Sequence, residues 1–140
     1  MKRIHLALIL PCVLLGVPAI AQQTTIMPQI QGEVAYVSGG VGGDEREAMK
    51  AMRADYNLSL LFSVKGSGEY ISDAKVCIKD ASGAVRLETV SDGPMLYAKL
   101  KPGRYSISAD RDGHVMENKV TLSGKKLTAL SFAWPAEEGD

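Results

Sequence analysis

Asp110, Asp112 and His114 are the nearest this chain comes to a set of groups able to do chemistry together. A histidine beside a carboxylate is the minimum for acid–base work, but His114 has no second histidine or cysteine near it in sequence. Two carboxylates at i and i+2 also begin a calcium loop. Calcium, however, needs about six to eight oxygen ligands, and the remaining positions of an EF-hand loop are absent, with His114, Met116 and Asn118 following. The same residues, Asp110-Arg111-Asp112-Gly113, read more simply as a turn. Cys77 alternates with Lys75 and Lys79, so it points away from the face carrying Val76 and Ile78. An exposed thiol between lysines is a reactive one, suited to redox chemistry or a disulfide-linked dimer; otherwise Cys77 is a small residue on an outer sheet face, covered by the helix. Gly39 to Gly43 leads toward a helix N-terminus, where backbone N–H groups can hold an anion. The G-K-[S/T] of a phosphate loop is missing, and Asp44 and Glu45 repel phosphate, so the run reads as a hinge. Met49, Met52 and Tyr56 fall on one helical stripe, as a face for a protein partner or for packing on the rest of the domain. No catalytic, cofactor-binding or metal-ligating residue is assigned.

The elements that must position these groups follow from periodicity. Residues 44–56 form the one helix: Asp44 with Glu47 resembles a capping box, and Ala48, Met49, Met52 and Tyr56 share a side. From Asn57 the period becomes two. Leu58, Leu60, Phe62 and Val64 define a strand, followed by runs around Ala74–Ile78, Val85–Thr89, Leu96–Leu100, Tyr105–Ala109, Val120–Leu122 and Leu130–Trp134. Glycine-, proline- or aspartate-bearing turns separate them at roughly 8–12 residues, the pattern of an antiparallel sandwich. The expected core comprises Leu60, Phe62, Val76, Ile78, Leu87, Leu96, Leu100, Tyr105, Ile107, Val120, Leu130 and Phe132. Residues 22–43 read as a polar, glycine-rich leader with a short strand at Glu33 to Val37, and residues 135–140 as an acidic, frayed tail.

The start of the chain is built for export. Lys2 and Arg3, an apolar run from Ile4 to Val17 and Ala19-Ile20-Ala21 make the three parts of a cleavable signal peptide, residues 1–21. The run falls short of the roughly 20 apolar residues a membrane span requires, and no second one follows, so no membrane insertion is expected after cleavage. A lipoprotein signal at Cys12 fits poorly, because Pro11 precedes it and the chain stays apolar to Ala21. Cleavage takes two of the 16 basic residues and none of the 16 acidic ones, leaving a formal charge of −2. No basic stripe is evident, so no nucleic acid partner is expected. Of the two cysteines only Cys77 remains, which excludes an internal disulfide and, with His114 the one remaining histidine, an ordinary structural zinc site.

Leu100-Lys101-Pro102-Gly103-Arg104-Tyr105-Ser106-Ile107-Ser108-Ala109 resembles the turn and strand of carboxypeptidase regulatory-like domains, which are transthyretin-like, or prealbumin-like, sandwiches. Gly39-Gly40-Val41-Gly42, Asp44 to Glu47, Tyr56-Asn57-Leu58 and Ser91 to Pro94 are similar to those of small exported proteobacterial proteins of that group. The resemblance spans Gly39 to Trp134 and implies a fold and a compartment, periplasmic or secreted, rather than a reaction. The expected fold is therefore mainly β: a seven-stranded antiparallel Greek-key sandwich over residues 57–134 with one N-terminal helix. The expected function is non-enzymatic: protein–protein interaction with an unknown partner, by strand addition at a sheet edge or through the helix face. The rival is binding of a small molecule, glycan or metal ion in a cleft between helix and sandwich.

Overall fold

The computed structural model describes residue 16 and residues 26–136. The expected signal peptide, residue 16 apart, and most of the expected acidic tail lie outside these residues. The described chain is a mainly β sandwich with one helix, in the order β1 (Gln29–Gln31), β2 (Val34–Gly39), α1 (Gly43–Met52), a 3₁₀ turn (Arg53–Asp55), β3 (Leu58–Val64), β4 (Lys75–Asp80), β5 (Val85–Val90), β6 (Met95–Lys99), β7 (Gly103–Arg111), β8 (His114–Leu122) and β9 (Thr128–Trp134). One sheet runs β1-β2-β6-β3-β9 and the other β5-β4-β7-β8.

Period-two alternation places one side of each strand in the space between the sheets. Leu58, Leu60 and Phe62 of β3 meet Val76 and Ile78 of β4 and Ile107 of β7 there, all essentially without solvent exposure. Phe62, Phe132 and Trp134 form an aromatic cluster with ring centroids 6.0 to 6.3 Å apart, within the range at which tilted rings attract. The seven expected strands correspond to β3–β9. Two more, β1 and β2, come from the segment read as a leader: β2 pairs with β6 from Ala35↔Lys99 to Gly39↔Met95, and β1 pairs with β2. One pairing is parallel, β3 with β9, in register from Leu58↔Thr128 to Val64↔Trp134. Val120 and Leu130, expected in the core, are only half-buried, because β8 and β9 are edge strands on the same side of the sandwich.

The glycine run, expected as a hinge, is packed at its start, while Val41, Gly42 and Gly43 are exposed. Gly39 ends β2, and both it and Gly40 are buried. A side chain on Gly93 would meet the Gly39 carbonyl oxygen at 2.3 Å, so the turn before β6 approaches β2 as only a glycine allows. Gly40 itself has φ +99 and donates its N–H to Glu45 Oε1 at 3.0 Å. Glu45 thus reaches back across the helix start, and no side-chain cap from Asp44 forms; Gly42 occupies the N-cap position.

Asn57 is the buried polar residue that joins three segments. Its Oδ1 accepts the Leu100 N–H at 2.9 Å, and its Nδ2 donates to the Leu100 carbonyl at 2.7 Å and the Ser123 carbonyl at 3.3 Å. Its own carbonyl accepts the Thr128 N–H at 2.9 Å. The start of β3, the β6–β7 turn and the β8–β9 connection are therefore held by one side chain and its backbone. Losing the amide leaves buried polar groups of Leu100 unpaired, each worth about 1–3 kcal/mol. Asn57→Ala is expected to destabilise the fold by about 3 kcal/mol in urea or thermal unfolding; a change below about 1 kcal/mol would show that water replaces the amide without cost.

The β4–β5 turn is built on Asp80. Its carboxylate accepts the side-chain hydroxyl of Ser82, the Arg86 guanidinium at 2.7 Å and the Ala84 and Ser82 N–H groups. The Ser82 hydroxyl and then Arg86 hold its carboxyl down to about 2. The unfolded chain restores the ordinary range near about 3.9. Folded Asp80 thus binds a proton less readily than unfolded Asp80, and its contribution to stability is present above that range and lost as pH falls toward 2. Asp80→Asn should flatten the stability-versus-pH curve between pH 4 and pH 2; an unchanged acid limb would remove Asp80 from the account.

Candidate functional site

The structure separates the residues that sequence brought forward. Met49 is fully buried against Val37 and Tyr97, on the outer face of the five-stranded sheet. Met52 and Tyr56 are half-buried in the same cluster, and the Tyr56 and Tyr97 rings lie 5.9 Å apart. The helix stripe is thus occupied by the chain's own sheet, and Met49 is not available to a partner in this conformation. Cys77 is half-buried on the outer face of the other sheet, level with Glu88 on β5 and Ser108 on β7. The helix covers the opposite layer, so it does not cover Cys77. His114 is exposed, and Asp110 Oδ1 accepts the Gly113 N–H at 2.9 Å. Asp112 and Gly113 have φ of 51 and 87, the backbone of a tight two-residue hairpin. Among the described residues no group of three or more His, Cys, Asp or Glu side chains is placed to hold a metal ion, and no helix is long and apolar enough to cross a membrane.

Two features stand out instead. The first is the contrast among the four sheet edges. An open edge invites another strand, and proteins blunt it by shortness, bulges, charge or cover. β1 has three residues. β5 carries a register shift opposite Ile78/Lys79, and Gln31 caps it: the Gln31 amide donates to the Glu88 carbonyl at 3.0 Å and accepts the Glu88 N–H at 2.8 Å. β8 displays Glu117 and Lys119. β9, Thr-Ala-Leu-Ser-Phe-Ala-Trp, has none of these devices: no charge, no glycine and no proline in seven residues. The Thr128 N–H bonds the Asn57 carbonyl and the Trp134 carbonyl accepts the Lys65 N–H, so even-numbered residues of β9 face β3. By alternation the N–H and C=O groups of Ala129, Ser131 and Ala133 face the open side. The side chains of those three residues are small and exposed on the sheet's outer face.

The second feature is a depression of about 490 Å³ between the end of the helix and the β8–β9 connection. Lys50 and Arg53 line it from the helix end, Lys99 from β6, and Lys125 and Lys126 from the connection; Asp55 is its one acid. Tyr56 also lines it, and burial followed by the charge of Asp55 pushes its hydroxyl above the ordinary tyrosine range, so the group stays neutral and able to donate. The basic residues come from three segments far apart in sequence, with Lys50/Arg53 and Lys125/Lys126 as local pairs.

No protein-family model matches the chain, and no similar curated protein is found.

Packing of the helix stripe sets two residues apart. Met49→Ala should destabilise by about 3 kcal/mol through the cavity it leaves, while Met52→Ala should cost less than about 1 kcal/mol at its half-exposed position. Equal losses in chemical denaturation would mean that the helix does not dock as described.

Proposed function

We propose that this chain is an exported, non-enzymatic interaction module, periplasmic or secreted, of the carboxypeptidase regulatory-like kind, and that it binds an extended segment of a partner protein along β9. The observation that carries the reading is the unguarded β9 edge beside three edges that are shortened, capped or charged. Main-chain pairing with Ala129, Ser131 and Ala133 supplies affinity in such a mode, and alternate side chains of the incoming strand supply specificity. The half-buried Val120 and Leu130 border the same side, so inward-facing residues of the partner strand should be apolar. The partner sought is therefore a segment of alternating apolar and polar residues. Export rests on the pattern of residues 1–21, and the absence of an enzymatic role on the lack of any assembled acid–base or nucleophilic set among the residues weighed above.

The test is photo-crosslinking in the native compartment from probes at Ala129, Ser131 and Ala133, with probes at Val85 and Lys119 for comparison. One protein captured from the β9 positions alone is expected. Ser131→Pro removes an outward N–H without touching the β3 ladder, and it should abolish capture while the protein still melts cooperatively. Capture equally from β5 or β8, or capture unaffected by Ser131→Pro, would overturn the β9 reading.

A further inference from the structure

We infer that the basic depression at the helix end is a binding site for a small polyanion, a ligand carrying at least two phosphate, sulfate or carboxylate groups. It is separate from the open edge of β9 and is carried by different residues.

Charge is the first argument. The whole chain has 16 basic and 16 acidic residues, so nothing in its composition forces cations together. Yet five basic side chains and one acidic one line this single depression. A larger concavity, about 650 Å³ on the outer face of the other sheet, mixes Lys79, Arg104 and Lys119 with Asp80 and Glu117, and shows no such imbalance. Among the described residues no acid lies within ion-pair distance of Arg53, Lys99, Lys125 or Lys126, and Lys50 makes only an exposed contact of 3.6 Å with Glu47. Lys50 and Arg53 can be explained by the negative end of the helix dipole. Lys99, Lys125 and Lys126 belong to other elements and have no such explanation. Like charges gathered in one concavity repel, and a bound anion relieves them.

Construction is the second argument. The loop that supplies Lys125 and Lys126 is pinned: its Ser123 carbonyl accepts from the buried Asn57 amide, Ser123 Oγ accepts the Lys126 N–H at 3.2 Å, and the Thr128 N–H returns to the Asn57 carbonyl. Lys99 is the last residue of a strand paired on both sides. The ammonium groups are thus carried on fixed backbone at two walls, with the helix end as a third. The Tyr56 hydroxyl, neutral and without a hydrogen bond among the described residues, adds a donor. The volume suits a ligand of disaccharide size or a condensed phosphate. A single monoanion would leave most of the charge unmatched.

The test is a titration of the purified protein with two defined probes, inorganic pyrophosphate and a disulfated disaccharide, followed by calorimetry and backbone amide NMR. At least one probe should bind saturably with a Kd below about 1 mM, shifting amides of residues 53–57 and 123–127. Preference for pyrophosphate identifies a free phosphate ligand, and preference for the disaccharide an anionic glycan. Lys125→Ala with Lys126→Ala should weaken binding about tenfold or more with the melting temperature retained, and Lys99→Ala, from another wall, should weaken it independently. Lys79→Ala with Lys119→Ala should leave affinity within about twofold. Absence of saturable binding by either probe, or an equal loss in the Lys79/Lys119 variant, would overturn the site.

Discussion

One amide decides where three parts of this sandwich meet. A buried side-chain amide with unmet hydrogen bonds is costly in a core, so a chain that places Asn57 there must bring it partners. The partners are the Leu100 N–H and C=O and the Ser123 carbonyl, supplied by the two connections that close this end of the molecule. The amide adds to the register that apolar alternation already imposes, because its donor and acceptor must match both groups of Leu100 at once. Asn57 is also where the helical segment ends and β3 begins. The same residue therefore fixes the entry to the central strand, the turn before β7 and the start of β9.

That constraint explains the parallel pair. β9 returns to the five-stranded sheet after leaving β8 in the other, and its first N–H bonds the Asn57 carbonyl. From there each residue falls level with its partner on β3, bringing Phe132 beside Phe62 and Trp134 beside Val64. Trp134 then closes the far end, its indole N–H donating to the His114 carbonyl at 2.8 Å. The two sheets are consequently tied at both ends of the β8–β9 side, by an amide at one and an indole at the other. The opposite side is tied by Gln31 on Glu88.

Much of this was legible in the sequence, and the parts that were not share a physical cause. Alternation over Leu58–Val64 and Tyr105–Ala109 defines strands with one buried face, and those strands are where expected. β2 is different: the helix lies over one of its faces and the core under the other, so Val34, Tyr36 and Val37 are buried without a clean alternation. Followed by glycines, it reads only as a short strand, Glu33 to Val37, inside a leader, and its pairing with β6 does not show. The stripe of Met49 showed which side of the helix is apolar but not what covers it, since a sheet face and a partner protein make the same demand. The basic depression left the faintest trace, because Lys50, Lys99 and Lys126 become neighbours only through pairing across the sheet and the closure at Asn57.

Folding requires little of the outward row of β9. Leu130, Phe132 and Trp134 supply the strand's inward side, and the backbone of the even-numbered residues supplies its ladder. Ala129, Ser131 and Ala133 are exposed, and a lysine at any of them would leave the core untouched while protecting the edge. β8, on the same side of the sandwich, has such protection in Glu117 and Lys119. The lack of it on β9 is therefore not a by-product of the fold's stability. A small, uncharged row beside unguarded backbone groups leaves room for close approach by another strand; that property separates β9 from the other three edges, and the proposed strand addition rests on it.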